Sequence, residues 1–150
     1  MQVFIVRIGV MVLLTALLWL VVWTGRRFVR EQRRRALAAD PVTPGHDMDA
    51  NASLSLVRIL AFSSADCRQC HELQIPALQR VLDARGSKVS VAEVDAPNSP
   101  DLTQRYKVLT LPSTVVMDAQ GRAHAVNYGF ASSQRLLEQV DEILAGVQVS

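Results

Sequence analysis

Hydrophobic residues fall along this chain in two patterns. From Ile8 to Gly25, eighteen residues pass without a charge, rich in Val, Leu and Trp. As a helix rising about 1.5 Å per residue, that run covers about 27 Å, close to the roughly 30 Å of a bilayer's hydrocarbon core. Arg7 can snorkel toward headgroups and bring the apolar stretch Met1–Val6 to the boundary. Trp19 and Trp23 lie near the other end, where amphipathic rings favour the interface. The pattern predicts one transmembrane helix, with residues 1–25 as the anchor. A cleaved signal peptide would need small residues just after the apolar run. Here Ala36-Leu37-Ala38-Ala39 come only after six arginines, which favours an uncleaved anchor.

The second pattern follows a segment with no apolar period. Residues 26–53 read as a basic juxtamembrane stretch followed by a linker. Asp40-Pro41-Val42-Thr43-Pro44-Gly45 and the scattered acids beyond supply the turn and linker signals. His46 with Asp47 and Asp49 has the residue types of a metal site, but one histidine in an acidic linker reads as solvated. From residue 54 the chain alternates buried strands and amphipathic helices. Leu54–Phe62 suits a buried strand with Val57, Ile59, Leu60 and Phe62 in the core. A helix is expected from about Cys67, capped by Asp66 or Ser64, with Leu73, Ala77, Leu78, Val81 and Leu82 at helical spacing. Pro76 should kink it and Gly86 should end it.

Lys88–Val94 alternates as a strand, and Asp101–Tyr106 reads as a short helix. Ser113–Met117 and Arg122–Tyr128 are strands joined by the hairpin turn Asp118-Ala119-Gln120-Gly121. Ser132 caps a closing helix with Leu136, Leu137, Val140, Ile143 and Leu144 on one face. The order β-α-β-α-β-β-α over residues 54–150 implies an α/β domain whose mixed sheet is flanked by helices.

Charge locates the partners. Residues 1–50 hold seven arginines and four acids, a balance of +3, while residues 51–150 hold nine basic and ten acidic residues, a balance of −1. The near-neutral domain argues against nucleic acid as a partner. Arg26, Arg27, Arg30, Arg33, Arg34 and Arg35 follow the apolar run, against Arg7 and the terminal amine before it. The positive-inside rule then gives a single-pass protein of the cell membrane with its domain in the cytoplasm; the reversed helix would place the domain outside. Anchoring to anionic headgroups gives the same leaflet.

The chain's two cysteines, Cys67 and Cys70, are spaced C-x-x-C at the expected strand-to-helix junction. Two cysteines do not make a four-ligand zinc site, and His46, His71 and His124 lack the spacing to complete one. A structural pair of small buried hydrophobes is a second option. A redox dithiol has the clearest physical rationale. A thiol at a helix N-terminus faces free N–H groups and the positive end of the dipole, which stabilises its thiolate. Residues three apart share a helix face, so Cys70 can attack a mixed disulfide at Cys67. His71 lies four residues beyond Cys67 and is placed either to tune the thiolate or simply to meet solvent. Cys67-Arg68-Gln69-Cys70-His71 also spells the C-x-x-C-H motif of c-type haem attachment. Against haem, Met117 falls within or at the end of a strand, and the flanking pattern is strand–helix–strand.

From about Leu54 to Leu144 the chain resembles the thioredoxin-like superfamily. The residues that carry this are the strand Val57–Phe62, Cys67–Cys70, Val94-Asp95, and Tyr106-Lys107-Val108-Leu109-Thr110-Leu111-Pro112-Ser113-Thr114 about forty residues after the first cysteine. Asp118, Gly121 and Gly129 complete the pattern. The resemblance implies a thioredoxin-like mixed sheet and a thiol–disulfide oxidoreductase acting on disulfides or dithiols of protein substrates. It implies an upstream electron donor or acceptor and no metal or organic cofactor. Cys67 would be the nucleophile and Cys70 the resolving thiol. Pro112 would follow a cis peptide and lie against the dithiol, where with Leu111 it shapes the substrate groove; otherwise it is an ordinary proline at the start of a strand. Arg68 would favour the Cys67 thiolate and Asp66 oppose it. The sequence departs from the family where a buried acid often stands six residues before the first cysteine, because Ala61 is there. The proton of Cys70 must then go to water or another side chain. That departure also keeps open a binding or assembly module in which the dithiol is incidental.

Overall fold

The structure, a computed structural model, describes residues 2–38 and 55–147. The candidate linker cluster His46, Asp47 and Asp49 lies outside the described residues. Two compact units divide the chain, Met1–Arg34 and Arg35–Ser150.

The first unit is helical. Helix α1 (Gln2–Leu37) runs unbroken through the apolar stretch and the arginines that follow it. It is long and apolar enough, within Gly9–Leu37, to cross a membrane. Its described apolar side chains, from Val10 to Trp23, are exposed. Thr15 and Thr24 turn their hydroxyls back onto the carbonyls of Met11, Val12, Leu20 and Val21, so neither leaves a free polar group among apolar neighbours. The Trp19 and Trp23 rings stack with centroids 6.4 Å apart, and the Arg27 guanidinium sits 5.4 Å over Trp23.

In the second unit, β1 (Val57–Ser63) is followed by a helical segment that becomes α2 (Ile75–Arg85). Then come β2 (Val89–Asp95), α3 (Pro100–Arg105), β3 (Ser113–Asp118), β4 (Ala123–Tyr128) and α4 (Ser133–Val147). The sheet order is β2-β1-β3-β4; β1 and β2 are parallel, and the other two pairs are antiparallel. This is the expected mixed sheet. Strand β1 is buried along its whole length because both of its faces are covered. Val57, Ile59 and Ala61 face one core with Leu78, Val81, Leu136, Val140 and Ile143. Leu60 and Phe62 face the other with Tyr106, Val115, Met117 and Val126. Gly86 adopts φ +55° where α2 stops, and its N–H donates to the Leu82 carbonyl. Gly121, at φ +78°, closes the β3–β4 hairpin. The Arg135 N–H donates to the Ser132 hydroxyl, so that cap forms as expected.

The helix carrying the cysteines differs from expectation in phase. A π-helical turn spans Cys70–Gln74, and the Ile75 N–H donates back to the Cys70 carbonyl. Pro76 then falls in the first turn of α2. The extra residue in the π turn rotates the preceding side chains about the axis. Gln74 points inward at 3% exposure, while Leu73, expected in the core, is 46% exposed.

Candidate redox site

The site forms where β1 ends and its backbone turns into the helix. The Cys67 N–H donates to the Ser64 carbonyl, closing the turn. Helical residues begin at Arg68, so Cys67 itself is the cap. Its sulfur lies 3.3 Å from the Cys70 N–H, the role expected of the Asp66 or Ser64 side chain. The same N–H donates to the Cys67 carbonyl at 3.0 Å, and the sulfur lies near the positive end of the helix.

Cys67 and Cys70 are joined as a disulfide with Cα atoms 5.3 Å apart. The two sulfurs differ in access. Cys67 is half-buried, whereas Cys70 is 1% exposed. Of the two cysteines, Cys67 is the one open to solvent. Arg68 is exposed and its guanidinium Nε donates to Glu72 at 2.7 Å. His71 is exposed on the helix surface, and its N–H donates to the Cys67 carbonyl.

The peptide between Leu111 and Pro112 is cis. Pro112 is buried and Leu111 half-buried at the start of β3. The Ser113 hydroxyl donates to the Thr110 carbonyl at 2.6 Å, tying the loop to the strand it enters. Tyr106 packs edge-on against Phe62 at 6.3 Å, and burial pushes its phenol up while Arg105 opposes that.

Two residues at this end escaped the sequence reading. The Gln74 amide donates to the Ala131 carbonyl at 3.2 Å and accepts from the Ala131 N–H at 2.9 Å. It thereby fastens the redox helix to the loop bearing Phe130, an exposed aromatic. The only signal was a glutamine flanked by Leu73 and Ile75, and finding it required knowing the π turn. The second is Glu93 on β2, opposite Ala61 in the strand register, whose carboxylate accepts from the Ser63 hydroxyl at 2.8 Å. Met117, the candidate second haem ligand, is buried in the core on the sheet face opposite the one that Ala61 shares with α2.

No protein-family model matches this chain. It is 24% identical over 86 residues to a thioredoxin of Alicyclobacillus acidocaldarius subsp. acidocaldarius, covering 57% of this chain and 80% of that protein. Among solved structures it resembles chloroplastic thioredoxin z, with a TM-score of 0.54 and 26% identity over 64% of this chain and 85% of that one. It also resembles thioredoxin-2 of the malaria parasite, described as a component of protein secretion machinery, with a TM-score of 0.56 and 20% identity over 68% and 92%. Sheet order, the bonded C-x-x-C pair at the β1–helix junction and these likenesses agree. The chain belongs to the thioredoxin-like superfamily. Fold and dithiol together support a thiol–disulfide redox function of the general kind that superfamily performs.

Proposed function

We propose that this chain is a membrane-anchored thiol–disulfide oxidoreductase that reduces or exchanges disulfides in protein substrates. The unequal access of the two sulfurs carries the reading. Cys67, half-buried at the helix cap, is the nucleophile; Cys70, buried behind it, resolves. In the reducing direction the Cys67 thiolate attacks a substrate sulfur, and the other substrate sulfur leaves as a thiolate. The Cys70 thiolate then attacks the Cys67 sulfur, the mixed disulfide breaks, and the second substrate thiolate departs. Two electrons pass to the substrate and the Cys67–Cys70 disulfide remains, to be reduced again by an upstream dithiol donor. Running backward, the same steps oxidise a substrate.

Leu111 and Pro112 form the wall of the substrate groove in this reading, with Arg68 and His71 at the rim to tune the thiolate. Residues 1–25 are the anchor, 26–53 the basic juxtamembrane segment and linker, and 54–150 the redox domain. The arginines after the apolar run favour a cytoplasmic domain. The test uses the full chain. Cys70→Ser should accumulate a mixed disulfide with its substrate, and Cys67→Ser should form none. A Cys67→Ser protein that still reduced a disulfide at the wild-type rate would overturn the assignment. The reduction potential sets direction and side: below about −230 mV marks a reductase fed from the cytoplasm, above about −180 mV an oxidase or isomerase outside it.

A further inference from the structure

Resolution of the mixed disulfide requires Cys70 to lose a proton, yet the residue, disulfide-bonded here, is 1% exposed, and Ala61 of β1 lines the same cavity. Strand parity supplies a carboxylate from next door. Val57, Ile59 and Ala61 of β1 and Val89 and Val91 of β2 face the helix that carries Cys70. Glu93 has the same parity on β2 and is paired in register with Ala61. A cavity of about 130 Å³ runs between them. Ala61 and Ser63 line it from β1, Cys70, Gln74 and Gln79 from the redox helix, and Glu93 from β2. Among the described residues lining it, Glu93 is the one charged side chain, and Cys70, once reduced, is the other group that ionises. The volume exceeds what one water molecule needs, and Ser63, Gln79 and Glu93 bring polar groups to its wall.

We propose that Glu93 takes the proton that Cys70 gives up when it resolves the mixed disulfide at Cys67. The inference rests on the nucleophile and resolving roles proposed above. The Cys70 S–H bond breaks and its proton passes to the Glu93 carboxylate across the cavity. The sulfur's electron pair attacks Cys67 Sγ, the new S–S bond forms, and the substrate thiolate leaves. Ser63 holds one carboxylate oxygen by its 2.8 Å hydrogen bond, which fixes the side chain over the cavity mouth. Glu93 is itself exposed, so the proton it takes from the interior can be passed on to solvent. Glu93 is the proton acceptor of this step and reaches Cys70 across the cavity. Asp66 and His71 are exposed on the helix side and do not line the cavity.

The test follows two steps separately in the reduced full-length chain, with oxidised glutathione as the probe. Formation of the Cys67–glutathione mixed disulfide is read in Cys70→Ser, and its resolution by Cys70 is read by acid quench and mass in wild type and Glu93→Gln. The glutamine still accepts from Ser63 but cannot take a proton. Resolution should slow by about 100-fold near pH 7, the lower end of what a positioned proton acceptor contributes. The deficit should narrow as the pH is raised and hydroxide takes the Cys70 proton directly. A Glu93→Gln profile that superimposes on wild type overturns the inference. So does a deficit of the same size at every pH, which would mark a structural role. If Cys70→Ser forms no mixed disulfide, the redox assignment itself fails, and this inference with it.

Discussion

Each end of the sheet carries a carboxylate, and the two are held in opposite ways. At the hairpin end, Asp118 pairs in register with Val57 and is 4% exposed. One of its oxygens accepts from the Gln120 and Arg122 N–H groups, both at 3.0 Å; the other meets Arg122 Nε at 2.8 Å and His124 Nε2 at 2.9 Å. Burial pushes this carboxyl up, but the hydrogen bonds from His124 and Arg122 outweigh it and hold the group below the usual carboxylate range. At the redox end, Glu93 accepts from one hydroxyl, that of Ser63, and borders the cavity shared with Cys70. A carboxylate with its lone pairs filled keeps its charge and fastens a turn. One that accepts a single hydroxyl beside a cavity is held at one oxygen only. The contrast separates stability from chemistry along a single sheet.

Cys67→Ser sharpens that separation most. It should abolish turnover on any disulfide, since no other thiol reaches solvent at this site, while leaving the melting temperature of the reduced protein within a few degrees of wild type. Activity assays and thermal melts on the same preparation check both halves. A large loss of stability without oxidation of the pair would mean that the cysteine is structural.

At the hairpin end the result should invert. Asp118→Ala removes an acceptor shared by four donors and should cost about 2–3 kcal/mol, with resolution of the glutathione mixed disulfide unchanged. The pH dependence has a definite sign. Because the folded carboxyl titrates below its unfolded value of about 3.9, its stabilisation is fully present above that pH and is lost as the pH falls through the folded value. Denaturant melts of wild type and variant should therefore be well separated at pH 7 and converge on acidification. A constant gap down to pH 2 would count against this.

Gln74→Ala tests whether the redox end also contains structural groups. It strands the Ala131 N–H and carbonyl in a buried place and should cost about 1–2 kcal/mol. The loop bearing Phe130 would lose its tether to the redox helix. Turnover of a folded protein disulfide should therefore fall more than turnover of oxidised glutathione, as comparison of the two rates would show. Equal losses on both would confine Gln74 to stability.

Most of this architecture was legible in the residues. The apolar run of β1, the Asp118–Gly121 turn and the Ser132 cap each have a local cause, so pattern alone placed them. The cysteine pair was legible in its C-x-x-C spacing, and the cis Leu111–Pro112 peptide was expected from the resemblance to the thioredoxin-like superfamily. The site's supporting groups were not legible. Gln74 faces inward because a π turn shifts the phase of the helix, and no apolar period reports such a shift. Glu93 breaks the alternation of its strand, carrying a charge at the parity of Val89 and Val91 while Val94 takes the opposite face. That slip was visible, but its meaning needed the register with Ala61, which pairs residues thirty-two positions apart.

The smallest effect belongs to Arg68. Beside the nucleophile in sequence, it looks well placed to stabilise the Cys67 thiolate, as Glu93 looks remote from Cys70. The structure reverses that impression. The Arg68 side chain is 85% exposed and already engaged with Glu72, itself 57% exposed, in a pair four residues apart on one helix. Exposed pairs of this kind contribute about 0–1 kcal/mol, and their reach is screened within about 10 Å at ordinary ionic strength. Arg68→Ala should therefore change the rate of mixed-disulfide formation by less than about fivefold, and by less still as salt is added. Stopped-flow reaction of the reduced chain with oxidised glutathione at low and high ionic strength measures this directly. A larger, salt-insensitive loss would place the guanidinium on the sulfur in the reduced protein, and the control of reactivity would then lie with the nearest charge in sequence after all.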